Sequence, residues 1–497
     1  RRDGDGTYKC RIVVRGDLTV KGDHYLETKS SMATLESIRM LVALAAGSDR
    51  PLYSTDFSQA FINADSDNPH LYCKLPLLPP EMRGGEYGMG GHRGKVGHLK
   101  KALYGLPHAP RLWQQHLMRF LTDELGARLF THDRNVFEWD WEGETLHGAI
   151  HVDDILFSVS SLTIRDEFMR RLKAKYRVTG GEEEATEFCG IQIVREWAKH
   201  TVTLTQETFA RAMLAKYDVG GKGEATPFKT KAKLEPYEGD ECEETAFDYS
   251  MALGDLAWYS RTNPGLSFAV HKLAQFMQRP GPDHVAAVHH VFHYIKAHLD
   301  AGLTYHGCSA VLTQSYDHRN KLIGTFDSDF PHTGSKATSG IAVLLNGAAI
   351  LWKTRRQTTV SITSTEAEVK AMEPGVQSLR WLTGLVGEFL RTKHGSVRVL
   401  DDSSGGISQV VSGMDSAKCA SYKKAHAYAE DAVDNGIMWL DHVPGKHNPS
   451  DLLTKQVGNI EEFGDKNGVM CGSKPFLYES TAVLDILNAA RNQNVSS

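Results

Sequence analysis

No two of the seven cysteines in this 497-residue sequence have the spacing of a metal knuckle or a redox pair; they are scattered at 10, 73, 189, 242, 308, 419 and 471. Such scatter frames neither a disulfide scaffold nor a zinc site, and it reads as reduced, intracellular thiols. No apolar run is long enough to span a bilayer. The longest lies near Ile38–Ala46, and no signal peptide opens the chain, so no membrane partner is expected. The phosphate-cradling pattern GxxxxGK[ST] is also missing, which sets aside a P-loop ATPase or helicase. Charge of one sign is not in excess: 56 Lys and Arg face 61 Asp and Glu, a net of −5. Any basic groove for nucleic acid is therefore local. With 41% hydrophobic and 24% charged residues, the chain has the composition of an ordinary globular protein. At roughly 150 residues per domain it has room for three or four. Because the first residue is Arg, the sequence is expected to be a fragment or processed product.

The most informative stretch is HGAIHVDDILFS, residues 147–158. Two apolar runs, Ala149–Val152 and Ile155–Phe157, read as short buried strands that meet at Asp153 and Asp154. A lone Asp-Asp pair is usually an ordinary turn. Here a third aspartate, Asp56, lies in another apolar strand, LYSTDFSQAF. Carboxylates on neighbouring buried strands are costly unless something positive meets them. Two Mg²⁺ ions at a polynucleotide end would do so, in phosphoryl transfer.

Taken in order, KCRIVV alternates well enough for a strand with Lys9 and Arg11 on one face, suited to phosphate oxygens or simply solvated. Ser31–Ala46 has helical periodicity, with Met32, Leu35, Ile38, Leu41 and Leu44 on one side. Residues 81–97 are glycine-rich and read as a loop. A turn, LYGLPHAP, leads into a helix from about Arg111; further helices are expected over 159–178 and Glu207–Tyr217, with a hairpin over 186–206. Residues 218–246 run from GGKGEATP to an acidic EPYEGDECEE and predict a mobile linker without a core. The histidines at 284, 289, 290, 293 and 298 lack acidic partners and read as a polar helix face. Beyond Leu322 come the strand-like runs LIGTFDSDF, SGIAVLLNG, AAILWKT and TTVSIT. A long helix from Ser364, the strand VRVLDD, a helix over Lys423–Asp434, the strand GIMWLDHVPG and a helix opening at NPSD follow. That order is a mixed α/β layout, and residues 459–497 read as a poorly ordered tail.

This second half has its own spaced acids. Asp327 lies at a strand end, Glu368 one turn into the long helix, Asp402 at the end of VRVLDD, and Asp451 in the first turn of the last helix. Singly each is a cap or a solvated strand end; together in one small domain they suit a two-metal nuclease.

Several stretches, in order, resemble the reverse transcriptase and ribonuclease H portion of copia-type LTR retrotransposon polyproteins. They are KCRIVVRGD, TDFSQAFIN, LKKALYGLPHAPRLW, HVDDILF, FCGIQIV, RTNPGLSFAVHKLAQFMQRP, FDSDFPHTGSKATSGIAVLLNG, SITSTEAEVKA and NPSDLLTKQV. The resemblance implies an α+β multidomain fold: a right-hand polymerase with palm, fingers and thumb, then a helical connection and an RNase H-like domain. The division it suggests is 1–165 fingers and palm, 166–225 thumb-like, 226–246 linker, 247–318 connection, 319–458 RNase H-like and 459–497 tail. It implies that Asp56, Asp153 and Asp154 bind the polymerase metals, with Asp154 contributing mainly field. Asp327, Glu368, Asp402 and Asp451 become the ribonuclease carboxylates, and His447 a histidine assisting product release. Arg11 falls where a basic finger residue meets the triphosphate, and Phe61 where an aromatic gate crowds a ribose 2′-OH.

Two positions depart from the family pattern. His151 replaces the tyrosine before the aspartate pair, and His108 replaces a glutamine; both positions lie near the nascent base pair in relatives. LDDS at Leu400–Ser403 leaves a register choice between Asp401 and Asp402, and counting back from Ile407 favours Asp402. Pro374 is expected to kink its helix. The implied cofactor is Mg²⁺, with Mn²⁺ an alternative. The implied partners are an RNA template, a DNA primer, dNTPs, an RNA–DNA hybrid, and the integrase and capsid portions of the same polyprotein. The implied location is a cytoplasmic virus-like particle or the nucleus. A decayed copy that folds and binds primer–template without turnover is the alternative reading.

Overall fold

The computed structural model describes residues 12–74, 96–229, 234–239, 247–307, 319–331, 334–413 and 421–475. Arg11, nearly all of the glycine-rich loop, much of the acidic stretch and residues 476–497 lie outside them. The chain forms two compact units, one of Arg1–Thr34 with Leu52–Glu184, the other of Leu35–Pro51 with Ala185–Ser497. No helix among the described residues is long and apolar enough to cross a membrane.

Helix α1 (Leu35–Gly47) belongs to the second unit and is buried on nearly every side from Ser37 onward. It starts later than its periodicity suggests, because the preceding backbone is already committed. Ala33 N–H donates to Ile150 O at 2.9 Å, Thr34 N–H donates to Asp133 Oδ2 at 3.1 Å, and Met32 is left exposed.

In the first unit, β1 (Leu52–Phe57) is followed by a small ladder of β2 (Tyr72–Lys74) and β3 (Val96–His98) and by helix α2 (Ala109–Arg119). Then come β4 (Arg128–Leu129), β5 (Val136–Trp141), β6 (Glu144–His151), β7 (Asp154–Val159), helix α3 (Leu162–Lys175) and β8 (Val178–Glu184). Six strands form one sheet in the order β4-β5-β6-β7-β1-β8. Its apolar face packs Phe57, Phe137 and Phe157 against Trp113, Phe168 and Leu172 of the two helices.

The second unit opens with β9 (Glu187–Phe188), β10 (Ile191–Glu196) and β11 (Thr201–Thr205), joined in a sheet by β12 (Gly302–His306), nearly 100 residues later. Helices α4 (Glu207–Lys216), α5 (Tyr249–Tyr259), α6 (Ser267–Ala274) and α7 (Pro282–Ala297) contribute Met213, Leu256, Leu273 and Phe292 to its core. Strands β13 (Ile323–Asp329), β14 (Thr338–Leu345) and β15 (Ala348–Arg356) run antiparallel. After α8 (Ser364–Leu390), β16 (Val397–Asp401) adds parallel to β13, and after α9 (Ser404–Ser412) and α10 (Lys423–Asp434), β17 (Met438–His442) adds parallel to β16. The order is β15-β14-β13-β16-β17. The short helix α11 (Asp451–Thr454) and α12 (Ile460–Cys471) close the unit. The fold is α+β, and the second unit contains a mixed five-stranded sheet.

Four expectations are corrected. Within 218–246, Phe228 and Leu234 are buried in the second unit's core, so this part of the segment is packed. The histidines explain how: His284 Nε2–H donates to Glu235 O and His290 Nε2–H to Thr226 O, each at 3.0 Å, so these two are buried brackets and no polar face. TTVSIT is a loop whose polar groups are taken up by several side chains: Ser361 Oγ donates to Gln357 Oε1, Thr359 Oγ1 accepts from Lys370 Nζ at 3.0 Å, and Thr363 Oγ1 accepts from Glu366 N–H at 3.1 Å. The first part of the supposed tail is α12, capped by Asn459 and anchored by Phe463 and Met470. Helix α8 is continuous through Pro374.

Two candidate carboxylate centres

In the first unit, β6 and β7 form a hairpin whose turn spans His151–Asp154, and β1 pairs with β7 so that Asp56 stands opposite Asp154. Phe57 N–H donates to Asp153 O at 2.9 Å, which ties the turn to β1. One carboxylate oxygen from each of Asp56, Asp153 and Asp154 lies within 4.8 Å of the others. Val152 sits in the turn at φ +57°, a strained conformation for a β-branched residue. Its carbonyl accepts from Nε1–H of the buried Trp113 at 2.8 Å, so α2 holds the hairpin by its strained residue. Burial, then the charges of Asp153 and Asp56, push the Asp154 carboxyl up to about 7.

In the second unit, Asp327 projects from β13, Asp402 follows the last residue of β16, and Asp451 opens α11. One carboxylate oxygen of each again lies within 4.8 Å of the others. The approach of α11 is set by Asn448, whose Nδ2–H donates to Phe326 O at 2.8 Å and whose Oδ1 accepts from Ser450 N–H at 3.0 Å. Glu368 on α8 stands beside this group. Its burial, with the charges of Asp401, Asp327 and Asp402, pushes it up to about 11. Asp327 is pushed up to about 7, mainly by burial. Asp401, fully buried, accepts from Ser403 N–H at 2.8 Å, so Asp402 is the member that completes the triad. The group also contains cations. Lys455 Nζ is 2.6 Å from Asp451 Oδ1 and 3.9 Å from Asp327 Oδ2, and Lys466 of α12 bonds Asp451 Oδ2.

A family profile described as reverse transcriptase (RNA-dependent DNA polymerase) matches residues 2–230. The chain is 25% identical over 467 residues to the retrovirus-related Pol polyprotein from transposon RE2 of Arabidopsis thaliana, covering 93% of this chain and 31% of that protein. It is 26% identical over 472 residues to the corresponding polyprotein from transposon TNT 1-94 of Nicotiana tabacum, covering 92% and 34%. Over residues 2–230 the chain is similar to reverse transcriptases, and over most of its length it is similar to Pol polyproteins of plant transposons. It spans about a third of the length of these relatives. Among solved structures, a foamy viral protease-reverse transcriptase in complex with RNA/DNA hybrid aligns at 12% identity and a TM-score of 0.45, over 84% of this chain and 46% of that one. RNase H1 from Halobacterium salinarum aligns at 16% and 0.22, over 27% and 94%.

Around the first carboxylate group, Phe61 lies on a short 3-10 turn after β1, half-buried, its ring centroid 4.8 Å from that of Tyr104. His151 is half-buried on β6 opposite Asp154, and its burial favours the neutral ring. His108 is fully buried at the start of α2, stacked on Tyr25 and 3.7 Å from Asp67. Neither of its ring nitrogens makes a hydrogen bond among the described residues. His447 is exposed on the turn before α11, outside the three-aspartate group. Arg11 lies outside the described residues. Sequence reasoning missed both lysines. Lys455 carried a signal, since it follows Asp451 by four residues on a helix start; Lys466 lay in a stretch that offered little periodicity. A cavity of about 770 Å³ between β15, α8 and α10 was missed as well; its walls include Arg355, Arg356, Lys370, Lys423 and Lys424.

Proposed function

We propose that the chain is an RNA-directed DNA polymerase with a C-terminal ribonuclease H, copying retrotransposon RNA into DNA and degrading the RNA strand of the resulting hybrid. The observation that carries this reading is the convergence of two separate three-aspartate groups, each from segments distant in sequence, one at each of two different sheets. The donor sets suit hard divalent cations, since all are carboxylate oxygens. Asp154 and Asp327 are pushed up to about 7, first by burial, with the neighbouring carboxylates adding to the shift. Glu368 Oε2 and Asp401 Oδ2 are buried without a hydrogen bond among the described residues. Asp56, Asp153 and Asp154 would hold Mg²⁺ or Mn²⁺ in the first group. Asp327, Asp402 and Asp451, with Glu368 beside them, would do so in the second. When bound, such ions stabilise negative charge developing on phosphoryl oxygens and activate the attacking hydroxyl or water.

The chain's own residues supply position. Trp113 and the β1–β7 ladder hold the first group against the primer end, and Phe61 presents a ring edge to the sugar of an incoming dNTP. His447, on the exposed turn before α11, assists release of the cleaved strand. The basic cavity of the second unit takes phosphates of the RNA–DNA hybrid, because five cationic side chains around one hollow match a phosphodiester backbone. The integrase and capsid portions of a longer polyprotein are its proposed partners, and a cytoplasmic virus-like particle or the nucleus its proposed location. A second reading, a folded copy that binds primer–template without turnover, draws on His151 and His108, the two departures beside the polymerase group. Primer extension on an RNA template with Mg²⁺, run beside Asp153→Asn, decides between them: extension by the unaltered chain alone supports an active polymerase.

A further inference from the structure

Lys466 is 2% exposed. Lysine is almost never buried to that extent unless it is paired, because desolvating an ammonium costs several kcal/mol. Its Nζ bonds Asp451 Oδ2 and lies 2.5 Å from Glu462 Oε1, one turn back on the same helix. Helix α12 does not need this lysine to find its place. Phe463, Met470 and Cys471 are buried on it, and Asn459 caps it. The helix is thus seated by apolar contacts and presents to Asp451 a cation that is also paired with Glu462 of the same helix. Lys455 differs in kind: its side chain is 42% exposed and reaches Asp451 and Asp327 from the surface. Lys466 is enclosed.

Resting on the ribonuclease reading above, we propose that Lys466 is a positioning residue, an internal counter-ion that holds Asp451 within the carboxylate group before a divalent cation arrives and competes with that cation for Asp451 Oδ2. Asp327, Asp402 and Asp451 repel one another, and a group assembled from β13, β16 and α11 needs compensating charge to stay together. A fixed ammonium provides it. The same charge then weakens cation binding, because a divalent ion has to share Asp451 with a neighbour that cannot leave. The two effects have opposite signs, which makes the role separable from simple packing.

The test uses the full chain with Asp153→Asn as background, so that the polymerase group does not contribute. Thermal melting by far-UV circular dichroism is followed across a MgCl₂ titration, without nucleic acid. Lys466→Met keeps the stem and removes the charge. Its expected signature is a lower Tm without Mg²⁺, a larger rise in Tm with it, and a titration midpoint lowered by about tenfold. An unchanged midpoint, or a Tm lowered equally at every Mg²⁺ concentration, would overturn the proposal and make Lys466 a packing residue. If Lys466→Met does not fold, Lys466→Met/Asp451→Asn decides. Recovery of a cooperative melt shows that the lost charge partner was the fault, whereas failure of the double variant overturns the proposal. Cleavage of a labelled RNA–DNA hybrid is measured separately. Its absence from the unaltered chain would count against the ribonuclease reading while leaving the melting result to judge the counter-ion.

Discussion

At Asp153 and Asp56 the difference between a carboxylate and an amide is one negative charge in a group of three. Asp153→Asn and Asp56→Asn should each abolish dNTP incorporation while leaving the melting transition in place, since neither side chain belongs to the apolar core. Extension assays with Mg²⁺ check this, and retained extension by either variant removes the assignment. Phe61 makes a different kind of claim. Phe61→Ala should raise ribonucleotide incorporation relative to deoxyribonucleotides, because a smaller side chain removes the steric rejection of a 2′-OH. Unchanged sugar discrimination in single-nucleotide assays would make Phe61 simply part of the contact with Tyr104. These residues were legible because acids inside apolar strands are rare enough to need a reason. Lys466 was not legible: a lysine in a weakly patterned stretch looks solvated until its helix is seen to pack. The burial of His108 was equally hidden, since a histidine beside two prolines reads as a turn residue.

Elements were read well where one periodicity ruled. The strands flanking Asp153 and the order β13, β14, β15, α8, β16, α10, β17 follow directly from their apolar runs. Failures came where side-chain hydrogen bonds outweighed propensity. TTVSIT has the β-branched residues of a strand, yet Ser361 bonds Gln357 and Thr359 bonds Lys370 in a loop that leaves Val360 and Ile362 exposed. The packed part of the acidic segment contains only two large anchors, Phe228 and Leu234, too few to form a pattern. The turn into α11 carries the prediction at this scale. Asn448→Ala removes the donor to Phe326 O and the acceptor from Ser450 N–H in a fully buried setting. A loss of about 1–3 kcal/mol is expected, the usual cost of stranding buried polar groups. Denaturant unfolding measures it, and a change below about 0.5 kcal/mol, the range of ordinary surface substitutions, would mean that α11 is seated by Leu452 and Leu453 alone.

Across the whole chain, the two carboxylate groups belong to different compact units. That division was only partly visible in sequence: two sets of acids could be counted, but Leu35–Pro51 gave no sign of joining the second unit. The central claim is that each group performs its own reaction. The most direct measurement is one labelled RNA–DNA hybrid with a recessed primer, incubated with Mg²⁺, with and without dNTPs, and with the unaltered chain, Asp153→Asn or Asp327→Asn. Two separate centres predict that Asp327→Asn extends the primer without cutting RNA, and that Asp153→Asn cuts RNA without extending. RNA cleavage that persists in Asp327→Asn, or vanishes together with extension in Asp153→Asn, would contradict the account.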